Sequence, residues 1–429
     1  MAAAAFFALF FGLLAIGVPF VAAFGLTAVA PAFLGSGSYT MSSVVGTTVQ
    51  SLTNFILLAL PLFMLSGKIM ADNKVSDKIF NLFGYFFGNS KAGLPCAVMM
   101  TCAFYSMLSG SAVATVAGVG TMTIPLMIRL KYDKAFAAAT VAVGGTLGVV
   151  TPPSVSYIVF AGIASVSPAN LFKAGFVPAI IITAALMIYI RIWSSRNEID
   201  EETMLKEYNA LRERGFWDVF KDSIWAVLMP IIVLGSIYSG VASPTEAAAI
   251  AVLYSYFICL FVYKTMNWKG FFQSFVSGAE TFLTIMILLG IATAFARSMT
   301  LQRYTIEFTN FVIYFADSRF AALLFINVIT LIVGLVIDNI PAFILLTPLF
   351  LPIATAFGID FYHLGMIMTL NLCIGMVTPP AAICLYIASQ ISDVPLLKLA
   401  RAALPYLGFY LLCLILITYV PQITLFLIR

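Results

Sequence analysis

The segment GVVTPPS, from Gly148 to Ser154, and its counterpart GMVTPP, from Gly375 to Pro380, decide how this chain folds. Each segment lies in the middle of a long hydrophobic run. Proline has no N–H and clashes with the carbonyl four residues earlier, so a helix cannot pass through Thr-Pro-Pro unchanged. In hydrocarbon, the carbonyls freed in this way must find new partners. The two segments therefore predict two broken helices inside a membrane-embedded protein.

The composition supports a membrane location. Of the 429 residues, 62% are hydrophobic and 9% are charged, whereas about a quarter of the residues of a soluble domain are charged. Apolar runs of about 20 residues recur without the alternation typical of a barrel. We expect an all-α polytopic membrane protein, with Phe6 to Val29 forming the first membrane segment, as one broken span or two short ones. No nucleotide-binding or hydrolase motif is found in the sequence, so an enzyme is not expected.

The two halves of the chain resemble each other at an offset of 227 residues. The pairs are Pro125 with Pro352, Asp133 with Asp360, Gly148 with Gly375, Thr151 with Thr378, Pro168 with Pro395, and Pro178 with Pro405. A duplication of helix-breaking positions is typical of secondary transporters built from repeats.

Charge indicates how the repeats are oriented. The polar segment 191–222 divides the chain into a first repeat, 1–190, and a second repeat, 223–429, and its basic residues predict a cytoplasmic linker. The connection Arg129 to Lys134 is basic, whereas the matching connection Ala356 to Phe361 carries only Asp360. The matching connections are therefore expected on opposite sides of the membrane, which makes the repeats inverted.

A second polar interruption precedes each Thr-Pro-Pro. These interruptions, Ser109 to Ala112 and Asp338 to Ala342, are flanked by apolar arms of about 15 residues, which suit a re-entrant hairpin better than two full spans. The expected elements are hairpins near 92–129 and 320–357 and broken helices near 135–165 and 361–392.

The breaks and hairpin tips are candidate cation sites. Freed carbonyls and the hydroxyls of Thr151 and Thr378 are oxygen ligands suited to a hard ion such as sodium. The alternative is a proline kink satisfied by water or by neighbouring helices. Asp338 could bind an ion or could cap the helix that starts at Pro341, and both roles can coexist.

Other features predict structural roles. Glu246, in Ser-Pro-Thr-Glu-Ala, is expected to cap a helix, and the stretches 68–91 and 297–319 are expected to lie along the membrane interface. The six cysteines lack CxxC spacing, and His363 is the only histidine, so we expect packing roles and no transition-metal site. The net charge of +4 does not indicate nucleic-acid binding.

Five motifs occur in a fixed order: LSGSAVATVAG at Leu108 to Gly118, GVVTPPS at Gly148 to Ser154, ASPTEAAA at Ala242 to Ala249, DNIPA at Asp338 to Ala342, and GMVTPP at Gly375 to Pro380. With them the chain resembles, over essentially its whole length, the large membrane (M) subunit of tripartite ATP-independent periplasmic (TRAP) transporters, within the ion-transporter superfamily. The resemblance implies an elevator mechanism, in which the hairpins and broken helices slide against a scaffold.

The resemblance also implies two sodium sites and no other cofactor, with Na+ as the coupling ion. The candidate residues in the first half are Ser109, Gly110, Ser111, Gly148, Thr151 and Pro153. Those in the second half are Gly334, Asp338, Asn339, Gly375, Thr378 and Pro380.

The implied function is sodium-coupled uptake of a small organic acid, such as a C4-dicarboxylate or sialic acid, across the bacterial inner membrane. The expected partners are a periplasmic binding protein and a small membrane (Q) subunit, the latter a separate chain because no extension precedes Met1. No arginine lies at either hairpin tip, so Ser154, Ser156 and Asn371 are the candidate substrate contacts. The alternative is a stand-alone sodium/dicarboxylate symporter of the same superfamily.

Overall fold

The computed structural model describes residues 2–33, 40–197, 205–206, 208–209 and 212–428. Within these residues, nine helices are long and apolar enough to cross a membrane. The expectation of an all-helical multi-pass membrane protein is thereby confirmed.

The first half contains ten α-helices among the described residues. They are α1 (Ala2–Ala15), α2 (Phe20–Phe33), α3 (Met41–Leu52), α4 (Ala59–Asp72), α5 (Val75–Phe87), α6 (Gly93–Ser109), α7 (Ala112–Arg129), α8 (Lys134–Val150), α9 (Val155–Ala164) and α10 (Pro168–Arg196). The first predicted segment is two short helices, because the chain turns at Gly17, whose φ is +85°, and at Pro19.

The second half follows the linker. Its helices are α11 (Phe216–Tyr238), α12 (Pro244–Phe257), α13 (Trp268–Leu301), α14 (Tyr304–Phe315), α15 (Arg319–Gly334), α16 (Asn339–Ala356), α17 (Phe361–Gly375), α18 (Ile383–Ser392), α19 (Leu396–Tyr419) and α20 (Gln422–Leu425). Residues 198–204, 207 and 210–211 of the predicted linker lie outside the described residues.

Helix boundaries in the two halves follow the offset of 227 residues. Helix α7 and helix α16 correspond at both ends. Helices α8 and α17 begin after aspartates that cap them: the carboxylate of Asp133 accepts a hydrogen bond from Phe136 N at 2.8 Å, and that of Asp360 accepts one from Tyr362 N at 2.9 Å. Capping by a short acidic side chain satisfies an amide that the helix itself cannot pair.

Helix α8 lies at the centre of the fold, and every residue from Ala135 to Val150 is buried. It packs against α6 and α7 of its own half and against α18 and α19 of the other. Alanines and glycines make up much of α8, and such small residues allow helices to approach closely in a membrane protein. The first broken helix is therefore the core to which the other elements attach.

Several predicted structural roles are confirmed. Glu246 completes a capping box at the start of α12, where its carboxylate accepts a hydrogen bond from Ser243 N at 2.8 Å. His363 is fully buried, with Nδ1 2.9 Å from Thr424 Oγ1 and Nε2 3.0 Å from the carbonyl oxygen of Thr418. All six cysteines are buried free thiols.

The two stretches expected at the membrane interface each begin within a longer helix. Lys68 belongs to α4 and Arg297 to α13, and the chain turns only at Lys74 and Arg303, where φ is 53° and 61°. Residues of both helices, among them Lys68 and Arg297, line cavities.

Candidate ion and substrate site

The tip of the first hairpin packs directly on the first helix break. Gly110, with φ of +59°, links α6 to α7, and its carbonyl accepts a hydrogen bond from Val155 N at 3.3 Å. A Cβ added to Gly148 would lie 2.5 Å from the carbonyl carbon and oxygen of Ser111. Only glycine at position 148 allows the tip to approach this closely.

The first tip contains a cluster of hydroxyl groups. Ser109 Oγ lies 2.8 Å from Thr115 Oγ1, and Thr115 Oγ1 donates a hydrogen bond to the Ser111 carbonyl oxygen at 2.9 Å. Sequence reasoning missed Thr115, although it follows Ser111 by four residues and so lies on the same helix face.

The first break leaves several oxygens without partners. Thr151 N donates to the Leu147 carbonyl at 2.7 Å, but no hydrogen bond to the Gly148 or Val149 carbonyl is found among the described residues. Thr151 Oγ1 and Ser154 Oγ are buried and unpartnered within the same ranges. Unpaired oxygens at this depth are costly unless a ligand engages them.

The second hairpin repeats this arrangement. A Cβ added to Gly375 would lie 2.2 Å from the Gly334 carbonyl oxygen, and the Leu335 carbonyl accepts a hydrogen bond from Ala381 N at 3.0 Å. In both halves a glycine before Thr-Pro-Pro contacts the backbone of the hairpin tip. The X-Pro bonds Pro152–Pro153 and Pro379–Pro380 are both cis.

The expectation that each break frees helix carbonyls is corrected for the second half. The Gly375 carbonyl accepts a hydrogen bond from Thr378 N at 3.1 Å, and the Met376 carbonyl accepts one from Cys384 N at 3.0 Å. The Thr378 hydroxyl donates to the Ile374 carbonyl at 2.7 Å. The reason is that the chain continues in tight turns after α17, which bring these donors back to the break.

Asp338 occupies the N-cap position of α16 but makes no side-chain capping hydrogen bond. Its Oδ1 atom is buried and has no partner among the described residues. The next residue, Asn339, donates from Nδ2 to Ser156 Oγ at 2.7 Å, and so joins the second tip to α9 of the first half. This Oδ1 atom is therefore available to a ligand.

The two tips share one cavity of about 450 Å³, which we call the tip cavity. It brings together Ser109, Gly110, Ser111, Asp338, Asn339 and Ser156. Its opposite wall is formed by α4, including Met64 and Lys68, and by α13. A cavity with polar hairpin tips on one side and helices α4 and α13 on the other can hold a small solute.

The other two candidate substrate contacts are not among the residues that line the tip cavity. Asn371 donates from Nδ2 to Asn327 Oδ1 at 2.6 Å and to the Ile367 carbonyl at 2.8 Å, so its amide faces α15. Ser154 is fully buried in the break. Of the three predicted contacts, only Ser156 lines the cavity.

A membrane protein in which two hairpin tips meet two helix breaks beside one cavity has the construction of a secondary transporter. The chain matches, over residues 7–423, the family described as "Tripartite ATP-independent periplasmic transporter, DctM component". The chain belongs to this family, and the resemblance seen in its motifs is confirmed.

Three relatives illustrate the match. The isethionate TRAP transporter permease protein DctMQ of Oleidesulfovibrio alaskensis is 35% identical over 98% of this chain, which spans 65% of that longer protein. The C4-dicarboxylate TRAP transporter large permease protein DctM of Pseudomonas aeruginosa is 35% identical over 87% of this chain and 86% of its own length. The sialic acid TRAP transporter large permease protein SiaM of Vibrio cholerae is 30% identical over 97% and 96%.

A solved structure shares the fold. The crystal structure of the Alcanivorax borkumensis YdaH transporter superposes with a TM-score of 0.66 at 13% identity, covering 94% of this chain and 97% of the other.

Proposed function

We propose that this protein is the transport subunit of a sodium-coupled uptake system for a small organic acid in the bacterial inner membrane. The observation that carries this proposal is the paired contact between tip and break. Gly148 meets Ser111 in one half, and Gly375 meets Gly334 in the other. Each contact places carbonyl and hydroxyl oxygens of two segments beside each other inside the fold.

Sodium suits these groups better than a softer ion does, because the donors are all oxygens. The first site uses Ser109, Gly110, Ser111, Gly148, Thr151 and Pro153, and the second uses Gly334, Asp338, Asn339, Gly375, Thr378 and Pro380. The unpartnered oxygens of Thr151 and Asp338 support this assignment. Since the second break satisfies more of its own carbonyls, its ion depends more on the Asp338 carboxylate.

We assign the two halves to inverted repeats, 1–190 and 223–429, joined by a cytoplasmic linker. Cys373 and Thr146 are separated by the repeat offset of 227 residues and contact each other, with Cys373 Sγ 3.6 Å from the Thr146 carbonyl oxygen. Contact between equivalent residues is expected where a pseudo-twofold axis passes through the structure.

An elevator movement is supported by the cavity that lies between the two tips and helices α4 and α13. The hairpins and broken helices of both halves pack on one another around α8. Against α4 the contact is made by small groups, since a Cβ on Gly67 would lie 2.7 Å from Ser109 Cα. Small residues at such a contact let the two backbones approach closely without interlocking large side chains.

The substrate class follows from the relatives, whose named substrates, isethionate, C4-dicarboxylate and sialic acid, are all anions. The tip cavity of about 450 Å³ lies within the range of small-molecule sites. A tripartite system implies two further components, which we propose are a separate small membrane subunit and a periplasmic binding protein.

The test is thermal unfolding of the purified chain in NaCl and in KCl at equal ionic strength. A ligand that binds only the folded state at 100 times its Kd adds about 2.7 kcal/mol of stability. We expect a sodium-specific rise in melting temperature that is reduced in Thr151→Val. The matched control is Thr347→Val, because Thr347 is also buried with an unpartnered hydroxyl but lies within α16. Equal melting curves in both salts would exclude sodium sites.

A further inference from the structure

A second cavity lies in line with the tip cavity. Its volume is about 540 Å³, and we call it the distal cavity. Helices α9, α13 and α16 each line both cavities. The residues that these helices place at the tip cavity are Ser156, Ile285 and Ile340. Those that they place at the distal cavity, further along each helix, are Gly162, Thr293 and Pro348. The two cavities therefore occupy successive levels of the same interface between the scaffold and the hairpins.

Among the described residues, each cavity is lined by a single basic side chain. The tip cavity has Lys68, whose Nζ lies 3.9 Å from Asp72 Oδ2, with both side chains at least one-third exposed. The distal cavity has Arg297, and no carboxylate among the described residues lies within 4.0 Å of it. An exposed pair such as Lys68 and Asp72 contributes little to stability, so structure alone does not account for these charges.

The two cations occupy equivalent positions in the two halves. Lys74 precedes α5 and Arg303 precedes α14, and both residues have a left-handed backbone conformation. They are 229 residues apart in the sequence. The same offset relates Lys68 to Arg297. It also relates other residues that line the two cavities, namely Met64 to Thr293 and Ala71 to Thr300.

We propose that Lys68 and Arg297 are paired anion contacts on the scaffold, one at each end of the substrate path. The inference deepens the proposed function and rests on it, because it assigns recognition of the anionic group to the scaffold rather than to the hairpin tips. Arg297 holds a carboxylate or sulfonate in the distal cavity through its planar guanidinium. Lys68 holds it in the tip cavity, where Asp72 competes for the ammonium and promotes release.

The cations act at separate ends of the path. Along α13, Arg297 lies 19 residues beyond Gly278, which lines the tip cavity, and this corresponds to about 28 Å of helix. Between the two levels the lining is apolar, with Ile285, Leu289 and Ile344. An anion that leaves one cation therefore crosses an uncharged stretch before it reaches the other.

The experiment measures binding of succinate, N-acetylneuraminate and isethionate to the purified full chain by thermal shift at constant sodium. We expect Lys68→Gln and Arg297→Gln each to weaken binding of the responding anion about fivefold, and the double variant to abolish it. Lys68→Arg should stay within about twofold, whereas Arg297→Lys should weaken binding about threefold, because an ammonium group cannot replace the planar guanidinium in a bidentate contact. The matched controls are Lys269→Gln and Arg303→Gln, which remove exposed charges outside both cavities.

Asp72→Asn gives a result that misfolding cannot imitate, because removing the competitor should tighten anion binding about twofold to threefold. The proposal is overturned if none of the three anions shifts a chain that responds to sodium, or if the glutamine variants weaken binding no more than the controls. If sodium does not shift the melting temperature but the Lys68 and Arg297 variants lose anion binding, sodium coupling is refuted and the paired anion contacts are supported.

Discussion

Alanine at the two glycines that precede Thr-Pro-Pro tests whether tip and break form one site. At Gly148 the new Cβ would lie 2.5 Å from the Ser111 carbonyl oxygen, and at Gly375 it would lie 2.2 Å from the Gly334 carbonyl oxygen. Contacts below 3.0 Å require a shift, and here the opposing atoms belong to backbone. Each tip must therefore retreat by roughly 0.5 to 1 Å, at a cost of about 1–3 kcal/mol.

The assay is the melting temperature of each variant across a sodium titration at constant ionic strength. Moving a tip carbonyl by this distance separates the two sets of ligands, and 1.4 kcal/mol corresponds to a tenfold change in affinity. We therefore expect Gly148→Ala and Gly375→Ala to lower the melting temperature without sodium and to weaken apparent sodium affinity about tenfold.

The matched controls are Gly235→Ala in α11 and Gly408→Ala in α19, where an added Cβ has no neighbour within 4 Å in the part of the chain that the structure describes. Alanine there should leave stability unchanged or raise it by about 0.5–1 kcal/mol, because glycine within a helix is destabilising. Sodium affinity should be unaffected. If Gly148→Ala behaves like Gly408→Ala, tip and break do not form a shared ion site.

Three further predictions concern a helix cap, a contact between the two halves and a buried carboxyl group. Ser243→Ala removes the capping box with Glu246 and should lower the melting temperature without altering the sodium response. A double-mutant cycle of Asn339→Ala and Ser156→Ala should give a coupling energy of about 1 kcal/mol in chemical unfolding, and additive effects would contradict this contact. Burial raises the pKa of Asp77, in α5, above its usual value of 3.8, so its contribution to stability is complete at low pH and is lost as pH rises through the raised pKa. Asp77→Asn should therefore flatten the pH dependence of the melting temperature, and an unchanged profile would count against this origin.

Properties of the local chain were accessible from sequence. Proline removes an N–H wherever it stands, so Thr-Pro-Pro in an apolar run had to interrupt a helix, and α8 and α17 do end there. The polar interruptions at Ser109 and Asp338 likewise fall at the ends of helices. The capping role of Glu246 could be predicted because its partner, Ser243, is only three residues away in the sequence.

Tertiary structure decided which side chains meet across the fold. The sequence suggested that Asn371 contacts the substrate, but its amide donates a hydrogen bond to Asn327. Asn339 donates a hydrogen bond to Ser156, which is 183 residues away in the sequence. Spacing within one helix carries no information about the partner that another helix presents.

The same limit applied to Lys68 and Arg297: the sequence marked them only as the first residues of two stretches expected at the membrane interface, and the structure shows that each lines a cavity. The sequence by itself determined where helices must break, because that follows from each residue's own backbone. The packing of α4 and α13 against the hairpins decided what the charged groups face, because that depends on contacts between distant segments.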